Sequence, residues 1–148
     1  MPTIVRVAHF DIYLSSVLGE GGFAKVFRAK DISKDPPMEV AAKQVPFGAA
    51  PEAGLRKEVE LMRMVSGHRS VIGFHHFEQV ADHTAPEVRF GLTPTLSLTP
   101  ARTLTTGPTP HQVRSSSWIF MELATGGDLF DKLAGGVLTE RAVAPYFK

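Results

Sequence analysis

The chain contains no cysteine, which excludes a disulfide-stapled scaffold and any cysteine-ligated metal centre, and favours an intracellular setting. It also lacks an excess of either charge. Sixteen Lys and Arg stand against fifteen Asp and Glu, for a net charge of +1. A balance so even gives no field to attract nucleic acid or an anionic membrane, and neither is expected as a partner. Long apolar runs are missing too. The start, M-P-T-I-V-R-V-A-H-F, is too broken for a secretory signal, and no later stretch is long enough to cross a bilayer. Cytoplasm or nucleus is the expected location. There are no internal repeats. What remains is ordinary globular composition, 43% hydrophobic and 21% charged, and 148 residues suit one core.

Local patterns predict a small set of elements. Residues 12–18 are rich in β-formers and end in glycines, so a strand enters a tight turn. Residues 25–30 alternate polar and apolar and read as the returning strand. Asp35-Pro36-Pro37 makes a turn, because proline fixes φ and cannot continue a ladder. A third strand covers 38–45. Residues 51–66 are the strongest helix: Pro51 suits a first turn, and Leu55, Val59 and Met62 recur as an apolar stripe. Ser66-Gly67 ends it. Strands are expected at 71–80 and 118–123, a helix at 128–133, and another capped by Thr139.

The most informative run is L-G-E-G-G-F-A-K-V, Leu18 to Val26. Backbone N–H groups at a glycine turn can approach phosphate oxygens closely because no Cβ intervenes, and Gly19, Gly21 and Gly22 supply that freedom. Phe23 is expected at the tip. As G-x-G-x-x-A the run also matches a dinucleotide-binding fingerprint, but that motif must open a helix, whereas here a β-like stretch follows. An ordinary glycine hairpin is the plain alternative. Lys43, in V-A-A-K, lies in an apolar strand, where a lysine needs a partner. Glu58 is an apt one, since it shares a helix face with Leu55, Val59 and Met62, and a carboxylate there needs a counter-charge. Taken singly, each is better read as a solvated surface charge; the glycine turn ahead of them reverses that reading. Met121-Glu122-Leu123-Ala124, followed by Thr125-Gly126-Gly127-Asp128, makes a buried strand ending in a flexible joint. Main-chain groups there could read an adenine edge, and Asp128 could accept from ribose hydroxyls.

On these motifs the chain resembles the eukaryotic protein kinase family, whose signature pairs a G-x-G-x-x-G-x-V loop with a V-A-I-K lysine and a helix glutamate. The later G-G-D-L-F-D-K-L and L-T-E-R-A are most similar to serine/threonine kinases of the calcium/calmodulin-dependent and checkpoint type. The resemblance implies an α+β fold: a small lobe of five antiparallel strands and one long helix, then the first helices of a truncated large lobe. It implies a partial kinase domain over 12–148, with 12–124 as small lobe and hinge and 125–148 as the start of the large lobe. The implied cofactor is ATP with magnesium, and the implied partner an unknown protein substrate. Gly19, Glu20, Gly21, Gly22, Phe23, Ala24 and Lys25 would cover the phosphates, with Leu18, Val26 and Ala41 as the apolar roof over adenine. Lys43 would hold the α- and β-phosphates, itself held by Glu58. Met121 becomes the gatekeeper, the main chain of Glu122 and Ala124 the hinge, and Asp128 the ribose contact.

Three departures matter. Ala24 replaces the third glycine, which a phosphate loop tolerates if φ stays negative. Pro145 falls inside the last helix. Neither H-R-D-x-x-x-x-N nor D-F-G occurs, and His68-Arg69-Ser70 is a decoy fitting the helix-to-strand turn. The base and the metal ligands are therefore expected to be absent, so the 148 residues alone are expected to be inactive. A non-catalytic interaction module or a non-functional fragment is the alternative. One segment breaks the pattern: residues 92–110 hold seven threonines and four prolines among nineteen residues, without an acidic one. Such a run cannot bury enough apolar area to offset its ordering entropy, so 80–116 reads as a disordered insertion. Thr93-Pro94, Thr99-Pro100 and Thr109-Pro110 suit proline-directed phosphorylation. The favoured reading is retained non-coding sequence, because joining its edges restores a short hairpin.

Overall fold

The computed structural model describes residues 3–81, 88–89, 115–127 and 141. In chain order these form β1 (Ile4–Val7), β2 (Phe10–Glu20), β3 (Lys25–Asp31), β4 (Met38–Pro46), α1 (Glu52–Val65), β5 (Phe74–Val80), β6 (Val88–Arg89) and β7 (Ser116–Glu122). The strands make one antiparallel sheet in the order β5-β7-β4-β3-β2-β1-β6. The helices expected at 128–133 and after Thr139, with Asp128 and Pro145, lie outside the described residues; Arg141 is helical.

The sheet therefore has seven strands, not the expected five. The additions are β1 and β6. Four residues are too few to show a period, so β1 carries no sequence signal; it is held because Val5 and Val7 are only 2% exposed in a shared core. Arg6 adds a two-pronged pair to Asp11 across the β1–β2 register, at 2.7 and 2.9 Å. Between these strands Ala8 adopts φ of 51°, a left-handed turn conformation that glycine holds with less strain. β6 pairs with β1 and falls inside the 80–116 segment, while Val80 and Ser116 belong to β5 and β7. The segment expected to be wholly unstructured thus contributes strand residues where a partner edge satisfies their backbone. Its remainder, 82–87 and 90–114, lies outside the described residues. β5 begins at Phe74 rather than Val71, because the amide of Val71 closes a turn onto the carbonyl of His68.

At β7 the sheet is covered on both faces, which explains why Ser116 to Phe120 are all buried despite strand alternation. Trp118 and Phe120 point into a cluster with Val5, Phe10, Ile12, Phe27 and Val40. Phe10 stacks on Phe120 with centroids 3.8 Å apart and planes at 10°. Since Phe10 opens β2 and Phe120 lies on β7, that stack shows the sheet curling round this cluster. The Trp118 indole N–H is buried without a hydrogen-bond partner. Ile119 and Met121 face the other way, where Val45 meets Leu55, Val59 and Met62 of α1. The apolar stripe read from the sequence is the helix face that docks. Gly67, at φ of 95°, follows the helix in the left-handed conformation expected there.

Asp31 closes the far end of β3. Its Oδ1 accepts from the Ser33 N–H at 2.9 Å and the Ser33 hydroxyl at 2.6 Å, with His9 Nε2 at 3.8 Å. Burial pushes this carboxyl up, but the Ser33 bonds and the nearby His9 and Lys34 outweigh it, leaving it below the ordinary 3.8. A depressed folded value means the contribution is present above the unfolded value and is lost as pH falls through the folded one. We expect the stability of the wild type to fall more steeply with acid below about pH 4 than that of Asp31→Asn. Parallel acid limbs in denaturant titrations from pH 5 to 3 would contradict this.

Candidate functional site

The site forms where the β2–β3 turn, β4 and α1 meet. Gly19 pairs with Val26 and Glu20 with Lys25, after register shifts that bend β2 around Val17 and Leu18. The turn closes with the Gly21 N–H donating to the Ala24 carbonyl at 2.9 Å, and Lys25 Nζ sits 2.9 Å from Glu20. Phe23 is at the tip, 69% exposed. Ala24 keeps a negative φ, as do Gly21 and Gly22, so the glycines serve by their missing Cβ rather than by a left-handed backbone. A Cβ built on Gly19 or Gly22 meets no heavy atom within 4 Å, so open space lies beside both.

On β4, alternation sends Ala42 and Gln44 to the inner cluster side and Ala41, Lys43 and Val45 toward α1. Register sets Lys43 opposite Val26 on β3 and Ile119 on β7, and Ala41 opposite Met121. The ammonium of Lys43 donates to Glu58 Oε1 at 2.5 Å. Lysine and glutamate side chains are 25% and 43% exposed, so the pair sits at a cleft edge rather than in the core. A half-exposed pair of this kind is worth at most about 1 kcal/mol to folding. Its use is to fix where the ammonium stands.

A cavity of about 370 Å³ opens here, walled by Gly22, Phe23 and Ala24 on the turn, Lys43 on β4, and Leu55 and Glu58 on α1. A second, of about 410 Å³, lies beside Phe47, Gln79 and Ser117. Glu52 is the charged group in its wall, and the nearby Arg56 guanidinium is already bonded to Glu52 at 2.6 Å and to Gln79 at 3.2 Å. The smaller cavity is therefore the candidate site, with a cation at its wall and amide-bearing glycines above it.

The structure gathers Gly21, Gly22, Phe23, Ala24, Lys43 and Glu58 around one cavity. Val26, Ala41 and Met121 lie near them through the strand register. Leu18 is 43% exposed in the bent part of β2, and Lys25 spends its charge on Glu20 rather than facing the cavity. Glu122 ends β7, and Ala124 follows in the exposed joint. Asp128 lies outside the described residues. His68 sits in the turn after α1, as expected of the decoy: its N–H reaches the Val65 carbonyl and its Nδ1 accepts from the Ser70 N–H. Sequence reasoning missed two features. Gly54, in the first turn of α1, lines the cavity, and its only sequence signal is a glycine where a helix prefers a side chain. The other is the Glu122 carboxylate, expected to matter only through its main chain.

No protein-family model matches the chain. Among solved structures it is similar to the crystal structure of Rad53, residues 1–466, in complex with AMP-PNP, with 21% identity and a TM-score of 0.61. That likeness covers 93% of this chain and 28% of the Rad53 chain, so the sequence spans well under a third of the structure it resembles. At this identity the likeness concerns the fold. The fold of the chain is like that of a protein kinase small lobe.

Proposed function

We propose that this chain is the ATP-binding part of a protein serine/threonine kinase. The observation that carries the reading is the Lys43–Glu58 pair, placed in one cavity wall beneath a glycine turn. The fit to a nucleotide is chemical. Open space beside Gly19 and Gly22 leaves room for phosphate oxygens close to main-chain amides. The Lys43 ammonium, oriented by Glu58, neutralises α- and β-phosphate charge. Val26, Ala41 and Met121 offer apolar surface to a base, and the main chain of Glu122 and Ala124 offers hydrogen-bonding edges at the end of β7. The same reading assigns Asp128, which lies outside the described residues, to the ribose hydroxyls. The AMP-PNP held by the structurally similar Rad53 supports a nucleotide as ligand.

The chemistry magnesium would supply when bound is neutralisation of charge on the transferring phosphoryl group. Its protein ligands are assigned to sequence other than these 148 residues, in which no D-F-G or H-R-D-x-x-x-x-N is found. A positioned base ordinarily contributes about 10²–10⁴-fold. The expected result is therefore nucleotide binding without phosphotransfer. Purified chain mixed with radiolabelled ATP, magnesium and a generic protein substrate should incorporate no label above background. Robust magnesium-dependent incorporation would overturn the assignment of roles. Melting with and without AMP-PNP tests the binding itself: absence of any shift at millimolar nucleotide, together with capture of a protein partner, would favour a non-catalytic module.

A further inference from the structure

We infer that the side chain of Glu122 is a positioning residue, tying the end of β7 to the C-terminal end of α1 and keeping its own carbonyl out of the sheet. The inference rests on the nucleotide reading for its consequence, but its geometry stands apart from that reading. Beyond the Phe74–Met121 pair, continuing the antiparallel ladder would place Gly73 opposite Glu122. In a regular hydrogen-bonded pair the two residues exchange both N–H···O=C bonds. Here half of the exchange is made, with the Glu122 N–H donating to the Gly73 carbonyl at 2.8 Å. The return bond is diverted: the Gly73 N–H donates to Glu122 Oε2 at 3.0 Å. The carboxylate stands in for the carbonyl of its own residue. That carbonyl belongs to the main chain that the nucleotide reading assigns to the adenine edge, and a sheet bond from Gly73 would occupy it.

The next amide continues the tie. The Phe74 N–H donates to Ser66 Oγ at 3.1 Å, and Ser66 caps the C-terminus of α1. Arg63, in the last turn of the same helix, lies over the Phe74 ring at 5.2 Å. Two consecutive amides, of Gly73 and Phe74, therefore fasten the end of β7 and the end of the helix carrying Glu58 to one short segment. A Cβ at residue 73 would lie in ordinary van der Waals contact with Glu122, 3.4 Å from Oε2 and 3.7 Å from Cβ, so the carboxylate packs directly against this position. A carboxylate acceptor makes a stronger bond than a neutral one, so the diversion is favoured over the regular pairing.

The test compares Glu122→Ala, which removes the acceptor, with Glu122→Gln, which keeps an oxygen at the same reach. Three quantities are read on the full chain: the carbonyl ¹³C shift of residue 122, amide exchange at Gly73 and in the last turn of α1, and affinity for AMP-PNP. In Glu122→Ala the 122 carbonyl shift should move as it accepts from Gly73. Exchange in the last helical turn should speed up, and AMP-PNP affinity should fall about five- to ten-fold. Glu122→Gln should return all three to within about two-fold of wild type. An unmoved carbonyl shift with unchanged helix exchange in Glu122→Ala would overturn the inference, leaving only a local cap on Gly73. If wild type itself binds no AMP-PNP, the nucleotide reading fails while shift and exchange still decide the tie.

Discussion

Replacing Lys43 with methionine is expected to erase the thermal stabilisation produced by AMP-PNP while barely moving the melting temperature of the unliganded chain. The two halves have separate causes. Methionine keeps most of the apolar stem, and the lost ion pair is 25% and 43% exposed on its two sides, where solvent screens it to at most about 1 kcal/mol. The ligand, by contrast, loses the cation in the wall of its cavity. Stabilisation by a ligand follows RT ln(1 + [L]/Kd), so at 100 times Kd it amounts to about 2.7 kcal/mol in wild type. A hundred-fold loss of affinity would cut that to a few tenths of a kcal/mol. Glu58→Gln should fall between the two, because the ammonium remains but loses its anchor. A double-mutant cycle on affinity should show Lys43→Met costing less when Glu58 is already changed than it does in wild type. If the two losses add fully, the pair does not act as a unit. If Lys43→Met leaves the nucleotide shift intact, the site is elsewhere.

The largest effect on folding is expected at Phe120. Its side chain is fully buried, stacked flat on Phe10 at 3.8 Å, and close to His76 at 6.2 Å. Phe120→Ala removes both the transfer free energy of the ring and one wall of that stack, a class of change that costs about 3–5 kcal/mol. For a small domain this corresponds to a melting temperature lower by at least about 12 °C, and it approaches the whole stability of a marginal fold. Phe23→Ala provides the contrast. That ring is larger than most apolar side chains here yet 69% exposed at a hairpin tip, so its removal should change unliganded stability by no more than about 0.5 kcal/mol. Calorimetry or urea unfolding of both variants checks the pair. A Phe120→Ala cost below about 1 kcal/mol would mean that the curled sheet is not held by this cluster.

Local pattern made much of the fold legible. The apolar stripe of Leu55, Val59 and Met62 named the docking face of α1, because a helical period repeats often enough in fourteen residues to stand out. The V-A-A-K and glycine run marked Lys43, and the spacing to Glu58 on the same face gave the partner that the coordinates place at 2.5 Å. Strand β1 escaped because Ile4 to Val7 is a single short run whose stability comes from Phe10, Trp118 and Phe120, all distant in sequence or across a turn. β6 escaped for the same reason, since two residues have no pattern and only an available edge makes them a strand.

The sequence by itself determined the chemistry available at the site: a glycine turn without side chains, one lysine in an apolar strand, and one glutamate on an apolar helix face. Those are properties of residue type and period, and they survive without coordinates. Tertiary structure alone decided how the ends are joined. The Glu122 carboxylate takes the Gly73 amide although forty-nine positions separate them, and Phe10 meets Phe120 across a curled sheet. No local pattern encodes such pairs, because each partner is chosen by where the chain returns rather than by the residues beside it.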